Sequence, residues 1–81
     1  MFTISTIELR VFGSLTDILG QEPSLMEPVA DLYSLREILL QKYPALKNAP
    51  FRIAVNEELI TGNVELQPGD VVALLPPFSG G

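Results

Sequence analysis

The fold is decided by the stretch Val71-Val72-Ala73-Leu74-Leu75-Pro76-Pro77-Phe78-Ser79-Gly80-Gly81. Its first five residues form an unbroken apolar run, which predicts a central strand that is paired on both edges or covered on both faces. Pro76 and Pro77 then fix φ and lack an N–H, so the sheet cannot easily continue through them and the chain takes an extended course away from the body. We therefore expect a folded domain over residues 1–75 and an extended tail over residues 76–81.

The predicted tail has the properties of a segment that enters another protein's active site. Gly80 and Gly81 have no Cβ, so their backbone can pass through a space too narrow for any side chain. Fully extended, six residues reach at most about 20 Å, with the α-carboxylate of Gly81 as the outermost group. Phe78 follows two prolines outside the predicted core, which favours a pocket in a partner. The alternative is an ordinary frayed terminus, where Gly and Pro are also frequent.

The composition favours a small globular domain that performs no catalysis by itself. The chain has 81 residues, 47% of them hydrophobic, and contains neither His nor Cys. Ser-His and Cys-His nucleophiles and ordinary zinc or iron–sulfur sites are therefore excluded. What remains for chemistry is carboxylates, hydroxyls, a few cations and the chain ends, so we expect no metal and no permanently bound cofactor.

Charge and hydropathy restrict the expected partners and location. Ten acidic and five basic residues give a net charge of −5, which disfavours nucleic acid and favours a basic partner surface. We expect no signal peptide and no membrane span, because no basic start precedes an apolar block and no apolar run is long enough. The lack of Cys is typical of a reducing compartment, so a cytoplasmic location is predicted.

The first third of the chain predicts a strand, a short helix and a second strand. Residues 4–12 predict the strand, because Ile7, Leu9 and Val11 alternate with Glu8, Arg10 and Phe12. Phe12 lies on the otherwise polar side, where base rates favour a core position at the strand end. Residues 13–20 predict a short helix with Ser14 as N-cap and Gly20 as the stop. Residues 24–27 predict an edge strand that ends at Pro28 and returns antiparallel beside the first.

The remainder predicts one main helix and three strands. The helix covers residues 31–43, with Asp31 as N-cap and a core stripe at Leu32, Leu35 and Leu39. A loop over residues 45–50 leads to strands at 51–55 and 59–60, separated by a turn at Asn56. A Pro68-Gly69 type II turn precedes the final strand.

The predicted class is α+β, a β-grasp (ubiquitin-like) roll with a mixed sheet of four to five strands, one main helix and a short helix. The first and last strands are expected to pair in parallel at its centre; a ferredoxin-like sandwich would need a second full helix.

Three segments resemble one family over essentially the full length: the small, sulfur-carrier subunits of molybdopterin synthase, the MoaD-like ubiquitin-like proteins. Residues 75–81 resemble the family's Pro-Pro-x-small-Gly-Gly ending, residues 66–73 its preceding turn and strand, and residues 54–59 its Val-Asn turn. Two departures are present. Thr16-Asp17-Ile18 stands where the family often has Arg-Glu-Leu, so a basic contact to a partner is missing or replaced. Phe78 is larger than the usual Val or Ile.

The resemblance implies a sulfur carrier in molybdenum cofactor biosynthesis rather than an enzyme. A ubiquitin-activating-like adenylyltransferase would use ATP to adenylate Gly81, and sulfur would then replace the adenylate to give a thiocarboxylate. The tail would enter the large catalytic subunit and donate sulfur to cyclic pyranopterin monophosphate, in an assembly of two small and two large subunits. The residues expected to contact partners lie in or near the tail: Phe12, Leu59, Leu75, Pro76, Pro77, Phe78, Ser79 and Gly80.

Three other functions are compatible with these residues. A related carrier would serve thiamine synthesis or tRNA thiolation, although the Pro-Pro pair argues against it. A ubiquitin-like modifier would join Gly81 to a target lysine. A passive interaction domain would be unaffected by deletion of Gly80 and Gly81. For Leu59 and Leu75 themselves, the alternative to a partner contact is a place in the core.

Overall fold

A computed structural model of the chain describes residues 6–21 and 23–77, and it contains five strands and two α-helices within those ranges. The strands are β1 (Ile7–Val11), β2 (Ser24–Met26), β3 (Arg52–Val55), β4 (Glu58–Ile60) and β5 (Val71–Leu75). The α-helices are α1 (Thr16–Leu19) and α2 (Leu32–Lys42), and 3₁₀ helices cover Gly13–Leu15 and Pro44–Asn48. Residues 4 and 5, which the sequence placed in the first strand, lie outside the described residues.

The strands form one mixed sheet in the order β2-β1-β5-β3-β4. The central pair, β1 and β5, runs parallel, with Leu9 opposite Val72. All other pairs are antiparallel, including β3 with β5, where Ile53 lies opposite Leu74. The sequence predictions of a β-grasp roll, of a parallel central pair and of a strand paired on both edges are therefore confirmed.

Helix α2 covers one face of this sheet and closes the core. Its inward stripe is the predicted one, with Leu32, Leu35 and Leu39 all buried. Asp31 caps the helix, because its Oδ1 accepts a hydrogen bond from the N–H of Ser34 at 2.9 Å. The core also includes buried side chains from the strands, the two 3₁₀ helices and the chain before β5: Ile7, Leu9, Val11, Leu15, Leu46, Ile53, Val55, Leu66, Val72 and Leu74.

The turn before β5 has the predicted conformation. The N–H of Asp70 donates to the carbonyl of Gln67 at 3.0 Å, and Gly69 has a φ of +93°. A positive φ at the third residue is the requirement of a type II turn, and glycine meets it without a steric cost. Within residues 6–21 and 23–77, no helix has both the length and the apolar character needed to cross a bilayer.

Two local predictions are wrong. Ser14 does not cap the short helix; it lies inside the 3₁₀ turn Gly13–Leu15, and the hydroxyl of Thr16 bonds the Gly13 carbonyl at 2.8 Å instead. The segment 45–50, expected to be a loop, is largely the 3₁₀ helix Pro44–Asn48, which buries Leu46 against α2. Burial of one leucine orders that segment even though five residues are too short to show a helical period.

Candidate functional site

The face of the sheet opposite α2 is uncovered by the described chain, and its centre is lined by small side chains. The register places Arg10, Ala73, Ala54 and Leu59 in one row across four neighbouring strands, in the order β1, β5, β3 and β4. The two alanines occupy the two middle strands of that row, and their small side chains leave a depression in the surface of the sheet. A shallow depression of about 510 Å³ results.

Apolar side chains surround this depression, which we call the open-face groove. Phe12 is 45% exposed and Leu59 is 51% exposed, while Leu75 is half-buried. The prediction that Phe12 is a core residue is wrong, and so is the alternative that Leu59 is one. All three line the same groove, together with six further residues: Arg10, Ala54, Asn56, Glu57, Val71 and Ala73.

The predicted tail leaves the body at the edge of this groove. Strand β5 ends at Leu75, which itself lines the groove, and the N–H of Phe12 donates to the carbonyl of Leu74 at 3.0 Å. Pro76 is half-buried and Pro77 is exposed. The other predicted tail residues, Phe78, Ser79, Gly80 and Gly81, lie outside the described residues.

A hydrogen-bond network joins the β3–β4 hairpin to the start of β5 and thereby fixes the groove. The Asn56 amide donates to Asp70 at 3.0 Å, and its carbonyl oxygen accepts from the N–H of Val71 at 3.0 Å. The second Asp70 oxygen accepts from the N–H of Gln67 at 2.8 Å. Asn56 has a φ of +51°, a conformation that Asn tolerates better than most residues. The hairpin that carries Leu59 is thus held against the start of β5.

Charged side chains also line the groove, among them Arg10 and Glu57. Arg10 pairs with Glu8 on the same strand, and about half of the Arg10 side chain remains exposed. Arg52, opposite Leu75, is also exposed. In the segment that departs from the family pattern, Thr16 is hydrogen-bonded within its own turn and Asp17 is exposed. A groove lined by both apolar and charged side chains is suited to binding a protein surface, where hydrophobic contacts supply affinity and charges supply orientation.

One carboxylate outside the groove has a perturbed acidity. Hydrogen bonds from the Ser34 side chain and backbone N–H, and then from the Asn63 amide, lower the pKa of Asp31. The amide of Asn63 donates to Asp31 Oδ2 at 3.2 Å, and its oxygen accepts from the N–H of Tyr33 at 2.9 Å. This network caps α2 and joins it to the chain before β5, so its role is structural.

Sequence reasoning missed the residues that shape the groove. Ala54 and Ala73 became significant only when the register placed them side by side. The sequence predicted a turn at Asn56, but it did not predict the hydrogen bonds of Asn56 to Asp70 and to the start of β5. The available signal was an Asn at a tight turn together with an Asp directly before an apolar strand.

The comparisons with known proteins agree on one family. The model described as the ThiS family matches residues 9–81. The chain is 32% identical, over 82 residues, to the molybdopterin synthase sulfur carrier subunit of Caenorhabditis briggsae, covering 94% of this chain and 98% of the relative.

Two solved structures extend this agreement to the fold. One, from Helicobacter pylori 26695, is described as a protein-protein complex of subunits 1 and 2 of molybdopterin-converting factor. It matches with a TM-score of 0.72 and 38% identity, over 94% of this chain and 99% of that chain. The small archaeal modifier protein 1 of Methanosarcina acetivorans matches with a TM-score of 0.75 and 21% identity, over 99% of this chain and 100% of that chain. The second match shows a shared fold alone.

Proposed function

This chain belongs to the ThiS family, and from that membership we propose that it is the sulfur-carrier subunit of a molybdopterin synthase. The 32% identity to a sulfur carrier subunit supports this function, and so does the 38% identity to a structure of molybdopterin-converting factor subunits 1 and 2. The large subunit of the synthase is then the principal partner, in an assembly of two small and two large subunits.

One structural observation carries the proposal. The central strand of the sheet ends at Leu75, on the rim of an exposed apolar groove, and Pro76 and Pro77 follow at once. A partner that covers the groove is therefore beside the point from which the tail departs. From Pro77, four more residues extend at most about 14 Å, which is enough to reach an active site a short distance inside a docked subunit.

The chemistry begins at the carboxylate of Gly81. A free carboxylate is a poor electrophile because oxide is a very poor leaving group. Attack of the carboxylate on the α-phosphate of ATP would release pyrophosphate and form an acyl-adenylate, whose AMP is a good leaving group. A sulfide equivalent would then displace AMP and leave a thiocarboxylate. The activating enzyme in this scheme is a ubiquitin-activating-like adenylyltransferase.

The partners would supply the catalytic groups, because this chain contains no His and no Cys. The thiocarboxylate sulfur would attack cyclic pyranopterin monophosphate inside the large subunit, and water would finally release the carrier as a carboxylate. Glycines at positions 80 and 81 would allow the reacting carbonyl to approach both a nucleotide phosphate and the pterin without a side-chain clash. The carrier itself would position the sulfur: the open-face groove would bind the large subunit, and the tail would bring the thiocarboxylate to the active site.

Intact mass spectrometry tests this function. The protein is incubated with ATP, the adenylyltransferase of the same cell and sulfide, beside a variant that lacks Gly81. We expect a mass gain equal to one oxygen replaced by sulfur, in the full chain alone. Absence of both the sulfur gain and the adenylate would overturn the proposal. An adenylate that leads only to an isopeptide bond between Gly81 and a lysine would identify a protein modifier instead.

A further inference from the structure

Gly13 lies directly against Pro76, the first residue of the predicted tail. A Cβ added to Gly13 would be 2.5 Å from the Pro76 Cγ and 3.2 Å from its Cδ. Real Cβ atoms essentially never approach another heavy atom as closely as 2.5 Å. Any side chain at position 13 would therefore displace either the proline ring or the 3₁₀ turn that begins there.

The contact with Pro76, more than the backbone conformation, requires glycine at this position. Gly13 has a φ of +63°, which lies in the left-handed region that other residues enter at a modest cost. Gly20 and Gly62 have less favourable φ values of +101° and +93°, yet an added Cβ at either would meet nothing within 4 Å. Of these three glycines, Gly13 is the one that faces the tail.

A displacement of Pro76 is transmitted to the residues that follow because this part of the chain is stiff. Leu75 and Pro76 each precede a proline, which restricts both to extended conformations. The ring itself fixes φ of Pro76. On the body side, the bond from the Phe12 N–H to the Leu74 carbonyl holds the end of β5 in the sheet. The proline ring can therefore yield mainly by changing the direction in which the chain leaves β5.

We propose that Gly13 is a positioning residue: its bare backbone forms a seat for the Pro76 ring, and this seat sets the direction in which the tail leaves the groove. The consequence for sulfur delivery rests on the proposed carrier function, whereas the seat itself does not. Relief of the clash needs a movement of about 1 Å at the ring, and misplacement of a reacting group on that scale costs up to about 100-fold in rate.

Three variants separate the seat from general strain. Gly13→Ala introduces the clash with Pro76. Gly62→Ala is the matched control, since it imposes at least as much backbone strain at a position where an added Cβ meets nothing. Pro76→Ala removes Cγ and Cδ and leaves only the Cβ, which lies 3.9 Å from the added methyl group in an ordinary van der Waals contact. Gly13→Ala is therefore made in both the native and the Pro76→Ala backgrounds.

The primary measurement is the direction of the tail. Because the chain has no Cys, a nitroxide on Ser79→Cys is a unique label, and its paramagnetic broadening of backbone amides maps where the tail lies. We expect Gly13→Ala to change this map, Gly62→Ala to leave it unchanged, and Gly13→Ala to have no further effect once Pro76 is Ala. A map that Gly13→Ala leaves unchanged would overturn the proposal. So would failure of Gly13→Ala to fold in both backgrounds, since glycine would then serve the turn itself.

The second measurement is the rate of sulfur charging at Gly81. We expect Gly13→Ala to lower it by about 10- to 100-fold, and Gly62→Ala to retain the native rate at a comparable melting temperature. Equal charging of Gly13→Ala and the native protein would refute the claim that the seat positions Gly81 for reaction. If the native protein itself gains no sulfur, the carrier function fails, and the broadening map still decides whether the seat exists.

Discussion

Leu59 offers a direct test of whether the open-face groove binds a partner, because part of its side chain is buried by folding and the rest remains to be buried by binding. Its side chain is 51% exposed in the free chain. Full burial of a leucine is worth about 1.5–3 kcal/mol, so about half of that, about 0.8–1.5 kcal/mol, remains to be gained when a partner covers the groove. We therefore expect Leu59→Ala to weaken binding of the large subunit by about 4- to 12-fold.

Ile38 provides the matched control. It is 42% exposed, but it lies on α2, behind the opposite face of the sheet. Ile38→Ala removes a similar amount of exposed apolar surface, so its effect on the free energy of unfolding should resemble that of Leu59→Ala, at up to about 1.5 kcal/mol. Affinity for the large subunit should be unchanged.

Isothermal titration calorimetry with the purified large subunit measures both variants, and urea denaturation checks their stability. We expect the two variants to differ in affinity for the large subunit and to have similar free energies of unfolding. Equal affinities of Leu59→Ala, Ile38→Ala and the native protein would refute the assignment of the groove as the docking surface. A loss confined to Ile38→Ala would move the docking surface to α2.

Three further predictions concern the fold that supports the groove. Leu74 is fully buried in the central strand, so Leu74→Ala should lower the free energy of unfolding, measured in urea, by about 2–5 kcal/mol. Leu25 is 69% exposed, so Leu25→Ala should change the same free energy by less than about 0.5 kcal/mol. Similar losses in the two variants would contradict the placement of the core. Asn56→Ala should lower the free energy of unfolding by about 1–3 kcal/mol, because it removes two hydrogen bonds at a left-handed position. A double-mutant cycle with Asp70→Ala should show that the two residues are energetically coupled. Strictly additive losses would contradict this coupling. Because the pKa of Asp31 is lowered in the folded state, its carboxylate stabilises the fold above the unfolded pKa of about 3.9, and this stability is lost as pH falls through the lower folded pKa. Asp31→Asn retains a capping side chain and should flatten the dependence of the melting temperature on pH below about pH 5. An unchanged pH dependence would contradict the role of the Asp31 network.

The parts of the fold that the sequence predicted well are those with strong local signals. Helix α2 has a capping Asp31, a regular leucine stripe and a proline after its end, and it was predicted to within a residue at each end. Strand β5 is a continuous apolar run that follows a Pro-Gly turn, and it occupies the predicted central position. In both cases the local preference and the tertiary packing favour the same structure.

The parts that sequence reasoning missed depend on contacts between distant segments. The alternation in β1 correctly placed Phe12 on the polar side, but the usual burial of phenylalanine favoured the core, and the face proved to be uncovered. The depression at Ala54 and Ala73 exists only because β3 pairs with β5 in one particular register, which no local pattern specifies. The seat at Gly13 likewise requires the end of β5 to lie beside the turn after β1.

The proposed function requires that Gly81 carries sulfur to the pterin inside the large subunit. The most direct test is a single turnover with carrier that has been charged with isotopically labelled sulfur, mixed with the large subunit and cyclic pyranopterin monophosphate. We expect the label to appear in the dithiolene of the product while the intact mass of the carrier returns to that of the plain carboxylate. Formation of dithiolene without the label, or retention of labelled sulfur on the carrier while product forms, would contradict it.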